Sequence, residues 1–379
     1  MLGGLVQRLR GYLEGELAGY EKEIGVGRER PVGREELRRV WKRSRELGFY
    51  GCHLAVEYGG QGLSYTRLGA LKEEVGASGR VLGHSVLGDM GGPLRAGSVF
   101  EYATPEQVER YLKPLVAGDL ACCFSMTEPD AGSDVRALRT TATRDGDGFR
   151  ISGHKVFSSA GRYADFSVLI ARMADSEPPV YSAFLVDLDS PGCRVVDGEV
   201  PMSGQDSESD IILDDCFVPG GNLLGAEGDG LRIGLGRVTV NRLLNCPSVL
   251  GQARRALTLS LEYARTRQAS GGPLIALQAI QHKLADMATD YYAARSMTYD
   301  ALADLDRGAK PRIEANMCKL FVSEAAFRIA DQAVQIHGKA GVTRGSEVEW
   351  LFRRLRMGRI VTGSSEIQRN GIAKQLAAS

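Results

Sequence analysis

The sequence predicts an α+β fold with three parts in chain order. A helical N-terminal domain is expected over residues 1–117, a small antiparallel β domain over 118–225, and a helical bundle over 226–379. Apolar residues recur at helical spacing near both ends, whereas short β-prone runs alternate with turn signals between them. At 379 residues the chain is long enough for two or three domains with sizeable cores.

The N-terminal part contains one amphipathic run and one clear helix start. Apolar residues fall at helical spacing and a glycine ends the run: Leu37, Val40, Trp41, Leu47 and Gly48. Farther on, Thr104 is a cap residue, Pro105 suits the first helical position, and Gln107 stands three residues after the cap. This spacing predicts a capping box that begins a helix.

The middle part has the composition of a sheet. Its β-prone runs lie at 140–143, 149–152, 166–171, 180–186 and 211–213. Turn signals separate them, among them the DGDG run at 145–148 and the Pro-Gly pair at 191–192. The pattern predicts a small antiparallel sheet domain, either a barrel or a sandwich.

Helical periodicity returns after residue 228 and persists to the end of the chain. Helices are predicted near 230–267, 274–306, 309–338 and 365–377. These segments are long enough to form a four-helix bundle.

Composition excludes several classes of function. The 47 basic residues balance 47 acidic ones, which argues against nucleic acid or an anionic membrane as partner. The seven cysteines show no CxxC pair and the five histidines are dispersed, so we expect no metal site and no disulfide scaffold. No signal-peptide pattern and no apolar run of about 20 residues is found. We therefore expect a protein of the cytoplasm, without membrane segments.

The run CCFSMTEPDAGSD at 122–134 is the most informative segment. Apolar residues lead into a polar corner that ends in a tight Ala-Gly-Ser turn. A strand edge followed by such a corner offers backbone N–H groups and hydroxyls to an anion or a heteroaromatic ring. Alone this signal is weak, because a buried strand and turn have the same pattern.

Five further segments accompany TEPDAGSD in order: GHKVFSSAG at 153–161, DDCFVPGGNLLG at 214–225, RTRQASG at 265–271, QIHG at 335–338 and GSSEIQR at 363–369. Together they resemble the motifs of the acyl-CoA dehydrogenase family, and the resemblance spans essentially the whole chain. It implies a middle domain of the β-barrel type, a C-terminal four-helix bundle and FAD as cofactor.

The resemblance also implies which residues hold the flavin, whose site needs hydrogen bonds to the ring edge, donors for the pyrophosphate and an apolar wall. Phe124, Met126 and Thr127 would line the flavin edge, Gly132 and Ser133 would lie near the diphosphate, and Phe157 and Ser159 would flank the ring. Ser364 and Glu366 in the last motif are also assigned to the cofactor. The family has Trp where Phe157 stands, so the aromatic wall is smaller.

A second set of residues that match the family's motifs implies an oligomer. Arg267, Gln335 and Gly338 match positions that grip the FAD of a neighbouring subunit, so a homo-tetramer or homo-dimer is expected. Ser270 in place of Phe, Lys339 in place of Gly and Glu366 in place of Gln depart from the family's pattern at the adenosine end.

The family's catalytic carboxylate has no counterpart in this chain. These enzymes remove an α-proton from an acyl thioester with a desolvated Glu while a hydride passes to the flavin. In most members the Glu precedes the Gly of the last motif, where this chain has Thr362. In others it precedes an Arg on the first C-terminal helix, where this chain has Asn241 before Arg242. Neither a hydroxyl nor a carboxamide serves as the base.

Four interpretations remain open. Another acid, with Asp89 as the candidate, replaces the Glu; or the chain is a flavin monooxygenase, in which reduced flavin captures O2. Alternatively, a partner chain of a hetero-oligomer supplies the Glu, or the fold is a scaffold without turnover. The retained flavin motifs argue against a scaffold.

The leading hypothesis is an FAD-dependent oxidoreductase that dehydrogenates an acyl thioester carried by CoA or an acyl carrier protein. A specialised, biosynthetic substrate suits the altered pocket, and another flavoprotein or O2 would accept the electrons. Arg242, with Ser133 nearby, is the candidate to orient the carrier arm, and Val361 is expected to contact the substrate. One interpretation of the arginine cluster is that it meets a phosphopantetheine arm or an acidic carrier protein, but a solvated or salt-bridged helix face explains it better: Arg344, Arg353, Arg354, Arg356 and Arg359.

Overall fold

The computed structural model describes residues 2–30, 32–88, 94, 97–204, 208–269 and 271–378. Asp89 and Ser270, both named in the sequence analysis, lie outside these residues. The chain divides into two compact units. One consists of Met1–Arg28, Ser64–Gly83 and Asn241–Ser379, and the other of Glu29–Leu63 and His84–Val240. We call them the helical unit and the sheet unit.

Helices make up most of the secondary structure. The α-helices among the described residues are α1 (Leu2–Tyr12), α2 (Ala18–Glu23), α3 (Arg34–Glu46), α4 (Tyr65–Ala77), α5 (Gly83–Val86), α6 (Pro105–Gln107), α7 (Lys113–Ala117), α8 (Gly230–Thr266), α9 (Gln278–Asp306), α10 (Arg312–His337), α11 (Lys339–Val342), α12 (Glu347–Met357) and α13 (Ser365–Leu376). A π-helical turn at Leu13–Leu17 joins α1 to α2, and another at Val108–Leu112 joins α6 to α7. Within the described ranges, none of the helices is both long and apolar enough to cross a membrane.

The strands are β1 (Cys122–Ser125), β2 (Thr141–Asp145), β3 (Gly148–Lys155), β4 (Phe166–Met173), β5 (Tyr181–Asp187), β6 (Cys193–Asp197), β7 (Ser209–Pro219), β8 (Leu223–Leu224), β9 (Gln268–Ala269) and β10 (Gly272–Pro273). Strands β1 to β8 form an eight-stranded sheet in the order β6-β7-β3-β2-β4-β5-β8, with β1 beside β4. The last two strands form a separate two-stranded ribbon.

The predicted fold class is confirmed, with helices at both ends and a β domain between them. The capping box is present: Thr104 Oγ1 accepts from the Gln107 backbone N–H at 3.3 Å, and Gln107 Oε1 accepts from the Thr104 N–H at 3.1 Å. The predicted C-terminal helices correspond to α8, α9, α10 and α13. No range was predicted for α12, because its arginines were interpreted only as a solvated or salt-bridged helix face.

The prediction of an antiparallel sheet is correct for most strand pairs and wrong for two of them. Both β1 and β2 pair with β4 in parallel. Parallel neighbours need a long crossover, and residues 126–165 supply one between β1 and β4. The core of the sheet unit contains buried side chains from β1, β4, β5 and β7, among them Cys123, Leu169, Phe184 and Leu213. This core fixes the end of β1, where the informative corner begins.

Two glycines let α4 and α8 approach closely in the helical unit. A Cβ added at Gly251 would lie 2.2 Å from the Glu73 carbonyl oxygen and 2.8 Å from Gly76 Cα. A Cβ added at Gly76 would lie 2.4 Å from the Ser248 carbonyl oxygen. Because these neighbours are backbone atoms of two helices, no side chain can rotate away to make room.

We therefore expect Gly251→Ala to lower the free energy of unfolding by about 1–3 kcal/mol or more, because the helices must separate. Gly11→Ala is the matched control, since Gly11 lies in α1 and a Cβ there has nothing within 4 Å. We expect Gly11→Ala to raise the free energy of unfolding by about 0.5–1 kcal/mol, because alanine favours a helix more than glycine does. Thermal unfolding of both variants checks this, and equal midpoints would contradict the proposed close packing.

Candidate functional site

The TEPDAGSD corner directly follows β1 in the sheet unit. The Glu128 N–H donates to the Ala131 carbonyl oxygen and the Ala131 N–H donates to that of Glu128, both at 3.1 Å. Gly132 and Ser133 come next and are exposed. The corner is thus a closed turn whose following residues are open to a ligand.

A buried ion pair holds this corner. Lys155 at the end of β3 is 0% exposed, and its Nζ donates to Glu128 Oε1 at 2.7 Å and to the Met126 carbonyl oxygen at 3.3 Å. The Glu128 carboxylate also accepts from the backbone N–H groups of Arg139 at 2.6 Å and Thr140 at 3.0 Å. One pair of side chains therefore joins β1, the corner and the start of β2.

Both members of this pair are charged near neutral pH. Burial lowers the pKa of Lys155 to about 8, although the hydrogen bond and charge of Glu128 act in the opposite direction. Burial acts to raise the pKa of Glu128, but hydrogen bonds from Lys155, Thr140 and Arg139 outweigh it and the pKa falls below its ordinary value. The stability that Glu128 contributes is consequently present at neutral pH and is lost as acid protonates it.

The segment after β3 carries an aromatic ring beside the corner. The Val156 N–H donates to the Thr127 carbonyl oxygen at 2.9 Å, and the following Phe157 is 52% exposed at a backbone φ of 52°. A bulky residue at positive φ is uncommon and costs conformational energy. The buried Ser158 hydroxyl lies 2.9 Å from that of Ser125 and anchors this segment to β1.

The hydroxyl of Ser159 has a partner within the sheet unit. It donates to both carboxylate oxygens of Glu208, at 3.0 and 2.7 Å. The prediction that Ser159 flanks a flavin ring therefore stays a prediction, since a flavin would compete with Glu208 for this donor.

The start of α8 was predicted near residue 230, but its contact with β1 was not. A Cβ at Gly234 would lie 3.1 Å from Met126 Sδ and 3.6 Å from Phe124 Cζ, so the helix runs close to β1. Arg237 is 7% exposed and places Cζ 4.2 Å from the centre of the Phe124 ring. A buried cation thus lies over the ring of Phe124, which is predicted to line the flavin edge, and no local sequence pattern indicates this contact.

The helical unit contains both positions where a catalytic Glu was expected. Asn241 is half-buried on α8, and Thr362 lies in the loop before α13. Thr362 has a backbone φ of 61°, a genuine outlier for a β-branched residue. Asn245 Nδ2 donates to Thr362 Oγ1 at 3.3 Å, so this loop is polar and uncharged at position 362.

Arg242 and Gln368 hold the carbonyl groups of the same loop. Arg242 Nε donates to the Thr362 carbonyl oxygen at 3.3 Å, and its Nη1 donates to Asn316 Oδ1 at 3.0 Å. Gln368 Nε2 donates to the Gly363 carbonyl oxygen at 2.8 Å. The predicted role of Arg242 in orienting a carrier arm stays a prediction, because these two nitrogens bind groups of the chain itself.

Three residues predicted to grip a neighbouring FAD lie at helix ends in the helical unit. Arg267 follows α8, whereas Gln335 and Gly338 mark the end of α10, and all three are exposed. Tyr263 stacks on His337 with ring centres 4.4 Å apart, which brings these two helix ends together. The structure therefore places the three residues in one exposed region.

The remaining predicted residues lie around the start of α13. Ser364 caps this helix, its Oγ accepting from the Ile367 N–H at 3.4 Å, and Glu366 lies in the first turn. Hydrogen bonds from its own N–H and from Ser364 lower the pKa of Glu366. A carboxylate there stabilises the helix N-terminus. Val361 is exposed, as a residue that contacts substrate can be.

Comparison with known proteins identifies the family. Residues 4–119, 123–216 and 228–377 match the models for the N-terminal, middle and C-terminal domains of acyl-CoA dehydrogenase. The chain is 31% identical to the 3-(aryl)acrylate reductase of Clostridium sporogenes (strain ATCC 15579) over 98% of this chain and 97% of that protein. The chain belongs to the acyl-CoA dehydrogenase family.

The chain is also similar to two proteins named as acyl-CoA dehydrogenases. The mitochondrial short-chain specific acyl-CoA dehydrogenase of Homo sapiens is 35% identical over 89% of this chain and 82% of that protein. The structure of butyryl-CoA dehydrogenase from Megasphaera elsdenii matches with a TM-score of 0.88 at 27% identity, covering 99% of this chain and 98% of that one. Acyl-CoA dehydrogenases are FAD-dependent oxidoreductases.

The residues of the sheet unit fit this cofactor. A half-exposed aromatic ring, Phe157, stands beside a corner whose backbone is fixed by a buried ion pair. Such an arrangement offers an apolar wall and rigid polar groups to a flat heteroaromatic ring. Glu128 and Lys155 belong to motifs quoted from the sequence, but their pairing was not predicted.

We expect Lys155→Met to lower the free energy of unfolding by about 3–5 kcal/mol, because it leaves the Glu128 carboxylate buried without its cation. The purified variant should also retain less FAD, since the corner loses its anchor. Lys155→Met combined with Glu128→Gln should recover part of the stability, because no buried charge remains.

Lys113→Met is the matched control, since it removes the same charge from an exposed lysine paired with exposed Glu109. Thermal unfolding and the FAD content of the purified proteins check the prediction. If Lys155→Met and Lys113→Met show the same unfolding midpoint and the same FAD content, the ion pair does not organise the corner.

Proposed function

We propose that this protein is an FAD-dependent oxidoreductase that acts on the α,β carbon–carbon bond of an acyl thioester without the usual glutamate base. The carrier is CoA or an acyl carrier protein, and the electrons pass to another flavoprotein or to O2. The protein works in the cytoplasm as a homo-tetramer or homo-dimer in which Arg267, Gln335 and Gly338 bind the FAD of a neighbouring subunit. Its substrate is a specialised, biosynthetic one rather than a plain fatty acyl chain.

The observation that carries this proposal is the contrast between the two sets of residues. Glu128, Lys155 and Phe157 keep a corner suited to a flavin, whereas Thr362 and Asn241 are neutral. A bound flavin supplies the hydride acceptor. The chain itself supplies the rigid corner, the aromatic wall and the polar loop at Thr362.

The group that accepts the α-proton must be a residue other than those at positions 241 and 362. Thr362 Oγ1 accepts a hydrogen bond from Asn245. Neither the hydroxyl of Thr362 nor the carboxamide of Asn241 is basic near neutral pH. The same neutrality favours a second candidate, a flavin monooxygenase, in which O2 reacts with the reduced cofactor and no carboxylate removes the α-proton. Asp89 remains a candidate acid for the first function.

Anaerobic titration of the purified protein tests the leading function. Saturated acyl thioesters of CoA and of phosphopantetheine are added while the flavin absorbance is recorded. We expect bleaching by at least one of them, because dehydrogenation reduces the flavin. Absence of bleaching, together with substrate-dependent O2 consumption once a reductase supplies electrons, would favour the monooxygenase.

We expect Thr362→Glu to accelerate flavin bleaching by a saturated acyl thioester about 100-fold or more, because it introduces a carboxylate where the family places its base. Thr362→Gln is the matched control of equal size without a basic group, and it should give no acceleration. Stopped-flow absorbance of the two variants checks this. Equal rates would show that a carboxylate at position 362 cannot act on the substrate.

A further inference from the structure

Lys319 on α10 is a buried ammonium group with no hydrogen-bond partner among the described residues. The side chain is 5% exposed and its Nζ makes no hydrogen bond to any described atom. A buried ion without a partner is unfavourable relative to the same ion in water. The amide oxygen of Gln368, which is fully buried, also lacks a partner within the described ranges.

The position of Lys319 links it to the Thr362 loop. It follows Asn316 by three residues on α10, so both side chains lie on one face of that helix. Asn316 accepts from Arg242 Nη1, and Arg242 Nε donates to the Thr362 carbonyl oxygen. The cluster of Arg242, Asn316, Lys319 and Thr362 thus lies where the family's base is missing; we call it the cationic cluster.

The charges around Lys319 leave this cluster positive. Arg242 adds a second cation, and burial lowers its pKa. The nearby thiol of Cys246 stays protonated, because burial raises its pKa well above the ordinary value. Glu324 already accepts from Ser365 and pairs with Arg359, and Glu366 is exposed.

We propose that the cationic cluster binds a carboxylate carried by the acyl group of the substrate, so that the protein acts on thioesters of dicarboxylic acids. That the substrate is a thioester rests on the proposed function, whereas the binding of an anion by the cationic cluster does not. A carboxylate accepts several hydrogen bonds. It therefore matches Arg242, whose hydrogen-bond acceptors Thr362 and Asn316 are neutral, together with Lys319, which has no acceptor among the described residues. Arg242 and Thr362 are half-buried rather than enclosed, which leaves an approach to the cluster.

Acetate is the first probe, because it tests the anion site without any reaction. Thermal unfolding of the FAD-loaded protein is recorded in sodium acetate and in sodium chloride of equal ionic strength. We expect acetate to raise the midpoint of the wild-type protein, since a ligand of the folded state stabilises it. Burial lowers the pKa of Lys319 to about 8, so the acetate effect should fade as pH rises through that value while Arg242 stays charged.

Lys319→Met should abolish the acetate effect, and Lys319→Arg should retain part of it. Lys310→Met is the matched control that removes an equal charge from an exposed lysine, and it should behave like the wild-type protein. Lys319→Met itself should unfold about 2–4 °C higher in chloride, because it removes an unpaired buried charge. If it does not fold, Lys319→Gln takes its place.

The second probe is the substrate class. Flavin bleaching by succinyl and butyryl thioesters of one carrier is compared, and we expect about tenfold tighter apparent binding of the succinyl ester by the wild-type protein only. Equal binding, or a preference that survives in Lys319→Met, would overturn the inference. Bleaching by neither ester would contradict the proposed dehydrogenation, whereas the acetate experiment would still decide the anion site.

Discussion

The ion pair between Glu128 and Lys155 is the constraint on which the candidate flavin corner depends. Apolar residues of similar volume often replace a buried ion pair without loss of stability. Here they could not do so, because the pair also satisfies the Met126 carbonyl group and the N–H groups of Arg139 and Thr140. Removing it would leave three backbone groups to be satisfied, at a corner that must stay open on its other side.

The sequence predicted the elements better than their partners. Periodicity and turn residues located α8, α9, α10 and most strands, because these signals arise within a few residues. The parallel pairing of β1 with β4 and the contact between residues 128 and 155 join distant segments. No local pattern encodes such a choice of neighbour, so the six family motifs identified the cofactor but did not reveal what holds its site together.

The helical unit shows the same limit at the missing base. The sequence was sufficient to find that positions 241 and 362 lack a carboxylate. It could not reveal that Thr362 adopts a positive φ, or that Arg242 holds its carbonyl oxygen from 120 residues away. A strained, β-branched residue persists only where its surroundings determine its conformation. Asn245, Arg242 and Gln368 provide those surroundings here.

The absence of a glutamate at positions 241 and 362 leaves a buried cation, Lys319, and a half-buried one, Arg242, without a negative charge from the Thr362 loop. A carboxylate at position 362 would add a negative charge to a loop that already contacts Arg242, and Lys319 lies on the helix face that binds this arginine. With Thr362 in its place, both positive charges stay uncompensated by the loop. An unpaired buried ammonium such as that of Lys319 reduces stability, whereas an apolar residue at the same position would not. A carboxylate of the substrate, rather than a side chain at position 241 or 362, would neutralise Lys319 and Arg242. Their unfavourable unpaired charge would then be relieved only while the substrate is bound.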